Sequence, residues 1–185
     1  NRNTVVIFFS DHGEMLGDHY RWRKSLPYEG SAHIPFMIQA PERFGLRRGA
    51  VDETPVCIED LMPTILDIAD IPIPDGVDGQ SLLPVLCGKI LLDRPYLHLE
   101  TAPTYHALTD GKEKYIWFVE DGQVQYFDLI SDPHEVKNLI DQPENADRMA
   151  WWRDELIKVL ADRPEGFSDG KQLIEGLTYP GLMGK

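Results

Sequence analysis

The stretch VVIFFSDHGEMLGDHYRWRK, residues 5–24, runs from an apolar segment into two acid–histidine pairs and then into a basic cluster. The unbroken β-branched and aromatic run at residues 4–9 predicts a strand that is buried on both faces of a parallel or mixed sheet. Ser10 to Gly13 would then follow the carboxyl end of that strand, which is where open α/β sheets bind their ligands. The stretch therefore indicates an α/β fold and the position of a site within it.

Two further segments extend this first domain. The apolar run from Ile34 to Gln39 predicts the neighbouring strand, and Ile58 to Ala69 has the apolar spacing of a helix whose first turn contains Pro63. A connector rich in Pro and Gly follows and contains a short helix near its end. We therefore predict a domain over residues 1–88, in which the end of a mixed or parallel sheet is flanked by helices.

The remaining residues, 89–185, have a different pattern. Four short runs, PYLHLET, TYHALTD, KYIWFVE and VQYFDL, are separated by turn signals that include Asp-Gly pairs, and they predict a small antiparallel sheet. Residues 143–163 predict an amphipathic helix that carries on one face Met149, Trp152, Leu156 and Leu160. The tail from Pro164 is predicted to be irregular. This second domain combines an antiparallel sheet with a closing helix, so the whole chain is α+β.

The composition argues against several classes of function. A formal net charge of -13 argues against a nucleic-acid partner, because phosphate binding needs a broad basic surface. The longest apolar runs are far shorter than a membrane span. The two cysteines, Cys57 and Cys87, are too few for a disulfide framework and are predicted to be core thiols. We therefore expect a globular protein with no nucleic-acid partner and no membrane span.

The chemistry of the opening stretch centres on Asp11, His12 and Lys24. A carboxylate and an imidazole at a strand end suit a divalent cation, and the carboxylate favours a hard ion such as calcium or magnesium. Lys24 could place a positive charge beside an oxyanion held on that metal. The same residues also fit a plain turn followed by a solvated basic face, so the residue types alone leave both interpretations open.

Three segments carry a pattern in a fixed order. The first is VVIFFSDHGEMLGDHYRWRKSLPYEGSAHIPFMIQAP, the second is VCIEDLMPTILDIADIPIPDGVDGQSLLPVLCG, and the third is the pair LTDGKEKYIW and YFDLISDPHEVKNLI. Together they resemble the sulfatase family of the alkaline phosphatase superfamily. The first is similar to the family's metal-binding Asp-His strand end with its following Lys, and the second to its D-hydrophobic-x-PT helix and DG-x-SL-x-P connector. The third is similar to its C-terminal meander and closing segment. The resemblance covers most of the chain and implies an alkaline phosphatase-like fold.

The resemblance also implies roles for individual residues. It makes Asp11 and His12 ligands of a metal, most often calcium, with magnesium or manganese as alternatives. It makes Lys24 the catalytic group that contacts the sulfate oxygens. His33 stands where many relatives have an Arg, and His106 lies in the part of the chain that borders the family's cleft, so both are candidate substrate-binding residues.

The second acid–histidine pair and the other histidines receive structural interpretations. Asp18 and His19 are similar to a Gly-Asp-His pattern that recurs in bacterial members of the family, and they are expected to support the site or the fold rather than to take part in catalysis. His98 and His134, together with His106 itself, are more typical of surface or hairpin histidines than of metal ligands.

The family's nucleophile has no match in this sequence. It is a formylglycine made from Cys or Ser in a C/S-x-P-x-R motif, whereas Cys57 begins CIEDL, Cys87 begins CGKIL, and no serine fits. The chain therefore resembles the C-terminal part of a sulfatase, whose partner is the missing N-terminal portion of the same enzyme and whose substrate is a small sulfate ester or a sulfated glycan. For the whole enzyme the resemblance implies that the hydrated aldehyde attacks sulfur while the metal and Lys24 stabilise the transferred group, and that a later step expels sulfate and regenerates the aldehyde. The isolated chain is expected to be inactive.

Two alternative functions stay open. A phosphodiester or phosphonate monoester hydrolase of the same superfamily resembles the same Asp-His-Gly pattern. A non-catalytic binding module is the alternative from another class. For the compartment, the resemblance favours a bacterial periplasmic or secreted protein, and a cytoplasmic one stays open.

Overall fold

A computed structural model describes residues 3–89, 92, 94–101 and 103–177. These residues form strands and α-helices that are joined by loops and short 3₁₀ turns. In chain order the elements are β1 (Val6–Phe9), α1 (Glu29–Ala32), β2 (Phe36–Gln39), α2 (Leu61–Ile68), α3 (Leu83–Leu86), β3 (Leu97–Thr101), β4 (Tyr105–Thr109), β5 (Glu113–Phe118), β6 (Val124–Asp128) and α4 (Ala146–Leu160).

The chain divides into two compact units. The first contains Asn1–Asp11 and Ile34–Leu97, and the second contains His12–His33 and His98–Lys185. Residues 12–33 thus accompany the C-terminal part of the chain, whereas the sequence suggests that they belong to a domain over residues 1–88. The domain boundary after residue 88 stays a prediction.

The first unit carries the strand pair that the opening stretch predicts. β1 and β2 are neighbours and pair antiparallel, with Val6 opposite Gln39 and Phe9 opposite Phe36. The mixed α/β fold class is confirmed, and an antiparallel pair belongs to a mixed sheet rather than to an all-parallel one. The prediction that β1 is buried on both faces is wrong for the described residues, since Val6, Phe8 and Phe9 are exposed. A strand is buried on both faces only where packed layers cover both sides of its sheet, and this strand pair leaves apolar side chains uncovered.

A buried carboxylate joins helix α2 to the connector that follows it. A 3₁₀ turn, Ile58–Asp60, leads into α2, and the Asp60 side chain is completely buried. It accepts backbone hydrogen bonds from Cys57 at 3.0 Å and Gln80 at 2.8 Å, and Arg94 donates to its two oxygens at 2.8 and 2.6 Å. Burial alone would raise the pKa of Asp60, but these hydrogen bonds lower it, so the carboxylate stays charged. The acidic residue of the DLMPT motif is therefore a structural anchor.

Thr64 makes a second link between the same two segments. Its hydroxyl donates to the Asp60 carbonyl at 2.6 Å and accepts the Leu82 N–H at 2.9 Å. Gly79 lies so close to the preceding turn that a Cβ there would be 2.0 Å from the Glu59 carbonyl oxygen. The DLMPT and DGQSLLP motifs thus hold each other in place, and the predicted helix and short connector helix are confirmed as α2 and α3.

Thr64→Val removes both of these hydrogen bonds and keeps the shape of the side chain. We expect the free energy of unfolding to fall by about 1–3 kcal/mol, because a buried backbone N–H loses its partner. Chemical denaturation followed by circular dichroism measures the change. Thr4→Val, at an exposed threonine of the same unit, is the matched control and should leave the stability nearly unchanged. Equal stabilities of the two variants would contradict the role assigned to Thr64.

Both cysteines are free, as the sequence predicts. Cys57 and Cys87 are partly buried, and the Cys87 thiol donates to the Phe44 carbonyl at 3.0 Å. Burial, reinforced by the neighbouring Glu59, raises the pKa of Cys57 to about 12. Cys57 is therefore a neutral thiol at physiological pH and is not prepared for nucleophilic attack.

The second unit is built on the predicted meander. Its sheet has the strand order β3-β4-β5-β6, and the β4–β5 and β5–β6 pairs are antiparallel. Helix α4 packs on β4 and β5 and buries Trp152, Leu156 and Leu160, as its apolar spacing predicts. The meander and the closing helix are confirmed.

The tail after Pro164 is better packed than its composition suggests. Phe167 is completely buried, and Ser168 forms an isolated β-bridge with Leu173. The Ser168 hydroxyl also donates to the Ile157 carbonyl of α4 at 3.0 Å. The sequence could not predict this packing, because one aromatic anchor among Gly and Pro residues has no periodicity.

Candidate functional site

Residues 16–25 form a strained loop between the Asp-His-Gly and Tyr-Glu-Gly segments. Non-glycine residues with positive φ angles, between 49° and 79°, are Leu16, His19, Tyr20, Arg23 and Ser25. Each such conformation costs on the order of 1 kcal/mol, and residues of this kind cluster at functional sites. The loop is closed by backbone hydrogen bonds, including one from the Gly17 N–H to the Arg21 carbonyl at 2.9 Å. Lys24 therefore lies in a loop whose conformation is imposed by its surroundings.

The structure brings His12 and Lys24 together. His12 Nδ1 donates to the Gly13 carbonyl at 2.7 Å, so the other ring nitrogen, Nε2, carries the lone pair. Lys24 Nζ donates to this Nε2 at 2.6 Å. Two of the three residues that the sequence assigns to one site are thus in contact, and the imidazole lone pair is already directed at a cation.

Asp11 precedes His12 directly, and the chain passes from the first compact unit to the second at the bond between them. The Asp11 side chain is exposed. Its carboxylate and the His12 Nε2 lone pair are donor types that divalent cations accept. The donor chemistry therefore fits the metal that the sequence predicts, and the ligand role of the two residues stays a prediction.

Gly13 sets the approach of the Asp-His-Gly segment to α1. Its N–H donates to the Ser31 carbonyl at 2.8 Å, and a Cβ at Gly13 would lie 2.2 Å from the Gly30 carbonyl oxygen. Only a residue without a Cβ permits two backbones to come this close. This contact explains the glycine of the Asp-His-Gly motif.

Gly13→Ala is expected to lower the free energy of unfolding by about 1–3 kcal/mol, because the new methyl group overlaps a backbone oxygen. Gly30→Ala is the matched control, since a Cβ there meets its nearest neighbours at an ordinary 3.5 Å. Its stability should be unchanged or slightly raised, because Gly30 lies in a helix. Thermal unfolding of the two variants, measured side by side, tests the expectation. Indistinguishable midpoints would show that the segment relaxes around the methyl group at no cost.

Asp18 and His19 make structural contacts in the loop, and the expectation that they take no part in catalysis stays a prediction. The His19 ring stacks on Tyr28 with the ring centroids 3.9 Å apart, and its Nε2 donates to the His134 carbonyl at 3.1 Å. Asp18 begins the 3₁₀ turn of the loop, and its carbonyl accepts the Arg21 N–H at 2.9 Å. These contacts hold the loop against the segment that follows β6.

A buried ion cluster joins α1 to the meander. Lys114 is completely buried in β5, and its Nζ donates to Glu29 Oε1 and to the Pro27 carbonyl, both at 2.7 Å. It also pairs with Glu135 Oε1 at 2.8 Å. Burial raises the pKa of Glu135, although Lys114 acts in the opposite direction.

His33 lies at the exposed end of this cluster. Its Nδ1 is 2.7 Å from Glu29 Oε2, and the His33 side chain is 75% exposed, so it is accessible. Its role as a substrate contact stays a prediction.

The strained loop also borders an open cavity within the second unit. The cavity has a volume of about 1070 Å³ and is walled by aromatic and polar side chains, among them His19, Arg21, Tyr28, Phe118, Gln125 and His134. This volume is that of a small-molecule pocket. His106 is completely buried and is not among the residues that line the cavity, and its role as a substrate contact stays a prediction.

The second unit contains a cluster of ionisable residues that the sequence interpretation missed. His106 is completely buried, so it is not a surface histidine. Its Nδ1 lies 3.1 Å from His98 Nε2 and 3.4 Å from Glu100 Oε2, and Arg163 donates to the same Glu100 oxygen at 2.6 Å. The hydrogen bonds from His106 and Arg163 lower the pKa of Glu100 to about 2, and burial lowers the pKa of His98 to about 4. The signal in the sequence was the His-x-Glu alternation in β3, which puts both side chains on one face.

The chain is similar to known hydrolases over most of its length. Residues 17–162 match the family described as N-sulphoglucosamine sulphohydrolase, C-terminal. Over 182 residues the chain is 42% identical to an arylsulfatase of Clostridium perfringens. That alignment covers 96% of this chain and 37% of the arylsulfatase. Over 178 residues it is 34% identical to arylsulfatase K of Xenopus laevis, and this alignment covers 88% of this chain and 32% of arylsulfatase K. The chain thus spans about a third of the length of these curated relatives.

The fold is similar to that of a solved hydrolase. The phosphonate monoester hydrolase of Silicibacter pomeroyi superposes with a TM-score of 0.74 at 30% identity, over 85% of this chain and 34% of that one. Among the described residues, no helix combines the length and the apolar character that crossing a membrane requires.

Proposed function

The chain belongs to the sulfatase family, and from this premise we propose that it is the C-terminal part of a hydrolase that cleaves sulfate esters with a divalent metal. The observation that carries the proposal is the contact between Lys24 Nζ and His12 Nε2. It places the ammonium group of Lys24, which lies in the strained loop, beside the imidazole lone pair of His12. A metal-bound oxyanion could be stabilised by such an arrangement. Similarity to arylsulfatases supports a sulfate ester as the substrate, either a small molecule or a sulfated glycan.

Asp11 and His12 would hold the metal, with calcium as the expected ion and magnesium or manganese as alternatives. Bound there, the ion supplies charge stabilisation for the oxygens of the transferred group. His12 is prepared for this role, because its Nδ1 hydrogen bond to Gly13 leaves Nε2 as the ligand atom. One carboxylate and one imidazole are too few for a complete site, so the remaining ligands are proposed to come from the rest of the enzyme.

Lys24 would contact a sulfate oxygen. Its ammonium now donates to His12 Nε2, and it has to leave that atom when the atom serves as a metal ligand, because two cations repel each other. The flexible four-carbon side chain lies in an exposed loop and allows this change. Lys24 is then available to donate a charge-assisted hydrogen bond where negative charge develops.

The nucleophile is proposed to be a formylglycine in the N-terminal portion of the same enzyme. Neither cysteine of this chain has the required sequence context, and burial keeps Cys57 a neutral thiol by raising its pKa to about 12. A chain that holds only part of a site cannot position the reacting groups, so this chain alone is expected to show no turnover. The N-terminal portion is therefore its principal protein partner.

Turnover by the full-length enzyme tests the substrate class. We expect hydrolysis of an aryl sulfate with a higher kcat/KM than for the phosphonate monoester that has the same aryl leaving group. Because the leaving group is the same in both substrates, any difference in kcat/KM comes from the transferred sulfate or phosphonate group. A preference for the phosphonate would overturn the sulfatase assignment. Turnover by the isolated chain would overturn the proposed division of the site.

A phosphonate monoester hydrolase is the second candidate. The similarity to the Silicibacter pomeroyi enzyme favours it, at 30% identity. A metal and a lysine that bind sulfate oxygens also suit a phosphonate, because both groups present oxyanions.

A non-catalytic binding module is the candidate from another class. Tight calcium binding by the isolated chain would favour that module, because a complete metal site would then exist without the rest of the enzyme.

A further inference from the structure

Three ligand-type atoms converge in the hairpin of β3 and β4. His98 Nε2 and His106 Nδ1 are 3.1 Å apart, and Glu100 Oε2 lies 3.4 Å from the His106 atom and 3.9 Å from the His98 atom. Ligands of a tetrahedral zinc ion, each about 2.1 Å from the metal, lie about 3.4 Å from one another. The triangle therefore has the size of one face of a zinc coordination tetrahedron.

The two ring nitrogens of His106 are not both satisfied by the described residues. If Nδ1 carries the proton, it serves His98 and Glu100, and Nε2 keeps a buried lone pair without a hydrogen-bond partner. If Nε2 carries the proton, that buried N–H has no hydrogen-bond partner, and the Nδ1 lone pair faces Glu100 Oε2 even when His98 Nε2 donates to it. A cation in the triangle removes the conflict, because all three atoms then act as ligands. The Nε2–H is then left among the rings of Phe167 and Trp117, whose centroids are 5.0 and 6.1 Å from that of His106.

We propose that His98, Glu100 and His106 bind a transition-metal dication of the zinc type, with a fourth position open to water. Two imidazoles and one carboxylate form a donor set that suits zinc, whereas calcium prefers oxygen ligands throughout. This site lies outside the pair proposed to bind calcium, and it does not depend on sulfate ester hydrolysis.

The sheet and one arginine hold the three ligands in place. His98 and Glu100 are two residues apart in β3 and share a face, and His106 comes from the neighbouring strand β4. Arg163 donates to both oxygens of Glu100, at 2.6 and 3.1 Å, and so orients the carboxylate as hydrogen-bond partners of metal ligands do. Each carboxylate oxygen has two lone pairs, so Oε2 can accept from Arg163 and also bind a metal. The ligands are therefore preorganised on rigid elements.

Solvent reaches the triangle from the side of His98 and Glu100. Their side chains are 20% and 37% exposed, whereas that of His106 is completely buried. An ion could therefore enter without opening the core of the second unit. The competing explanation is an ion-pair network of Glu100, Arg163 and His106 that holds no metal, and metal titration distinguishes the two.

Zinc titration of the metal-free chain tests the proposal. We expect saturable uptake of one ion per chain at this site, and we expect His98→Gln and Glu100→Gln each to weaken it by about tenfold or more. Tetrahedral cobalt, added in place of zinc, should give intense visible absorption that both variants lose. The control is His134→Gln, which removes an exposed imidazole elsewhere in the second unit and should leave zinc binding unchanged.

His98→Cys keeps the test decisive if a glutamine variant fails to fold. A thiolate at this position still binds zinc and adds a sulfur-to-cobalt charge-transfer band, which a purely structural role of His98 would not produce. Unchanged zinc binding in His98→Gln and Glu100→Gln would overturn the proposal. So would the absence of the charge-transfer band in His98→Cys, or the loss of zinc binding in His134→Gln.

Discussion

Lys24→Ala in the full-length enzyme is expected to lower kcat by about 10²–10³, with a smaller effect on KM. The lysine is proposed to donate to a sulfate oxygen whose charge changes in the transition state, so its loss acts mainly on the chemical step. The contact of its ammonium with His12 Nε2 places it at the proposed metal ligand. Steady-state kinetics of the full-length enzyme with an aryl sulfate measures both parameters.

Two further variants sharpen this test. Lys112→Ala removes an exposed lysine from the turn between β4 and β5 and should keep the normal kcat. Lys24→Arg keeps the positive charge in a planar, bulkier group, so we expect it to recover only part of the activity. Near-normal kcat in Lys24→Ala, with the protein folded, would remove Lys24 from the catalytic machinery.

Lys114→Met is expected to lower the free energy of unfolding by about 3–5 kcal/mol. The buried ammonium pairs with Glu29 and Glu135 and donates to the Pro27 carbonyl, and methionine fills the volume without replacing the charge. The two carboxylates then repel each other in a desolvated place. Urea denaturation of the chain measures the loss, and Lys158→Met is the control, because Lys158 is an exposed lysine paired with Glu155.

The pH dependence of Lys114→Met identifies the cause of its instability. Burial already raises the pKa of Glu135 in the folded chain, and the loss of Lys114 raises it further. Between the unfolded value and this raised value the folded state binds more protons than the unfolded state, so stability falls as pH rises. The variant should therefore be less destabilised at pH 5 than at pH 8. Adding Glu135→Gln should restore part of the stability at pH 8, and a pH-independent loss would point to packing instead of charge.

Local patterns were sufficient to predict most elements of the fold. The Asp-Gly pairs and alternating runs predict the meander, and the spacing of Trp152, Leu156 and Leu160 predicts the buried face of α4. Burial is where prediction failed. β1 has the sequence of a strand covered on both faces, yet Phe8 and Phe9 are exposed among the described residues. Whether a strand is buried depends on the helices or sheets that pack on it, and its own sequence does not specify them.

Charged residues inside the second unit show the same limit. Lys114 stands in the run KYIWFVE, where a lysine would be expected to face solvent, yet it is completely buried in the sheet. Its burial is possible because Glu29 and Glu135, which lie 85 and 21 positions away in the sequence, supply the opposite charges. Partners at such separations leave no local signal.

The sequence by itself determined the family resemblance, the order of the elements and the identity of the candidate residues Asp11, His12 and Lys24, because these depend on residue types at short spacing. The tertiary structure decided which side chains meet. It put Lys24 Nζ on His12 Nε2, and it brought His106 to His98 and Glu100 across a hairpin. The physical reason is that the residues of one site must lie within a few ångströms of one another. For residues that are separated in the sequence, only the folding of the chain sets that distance.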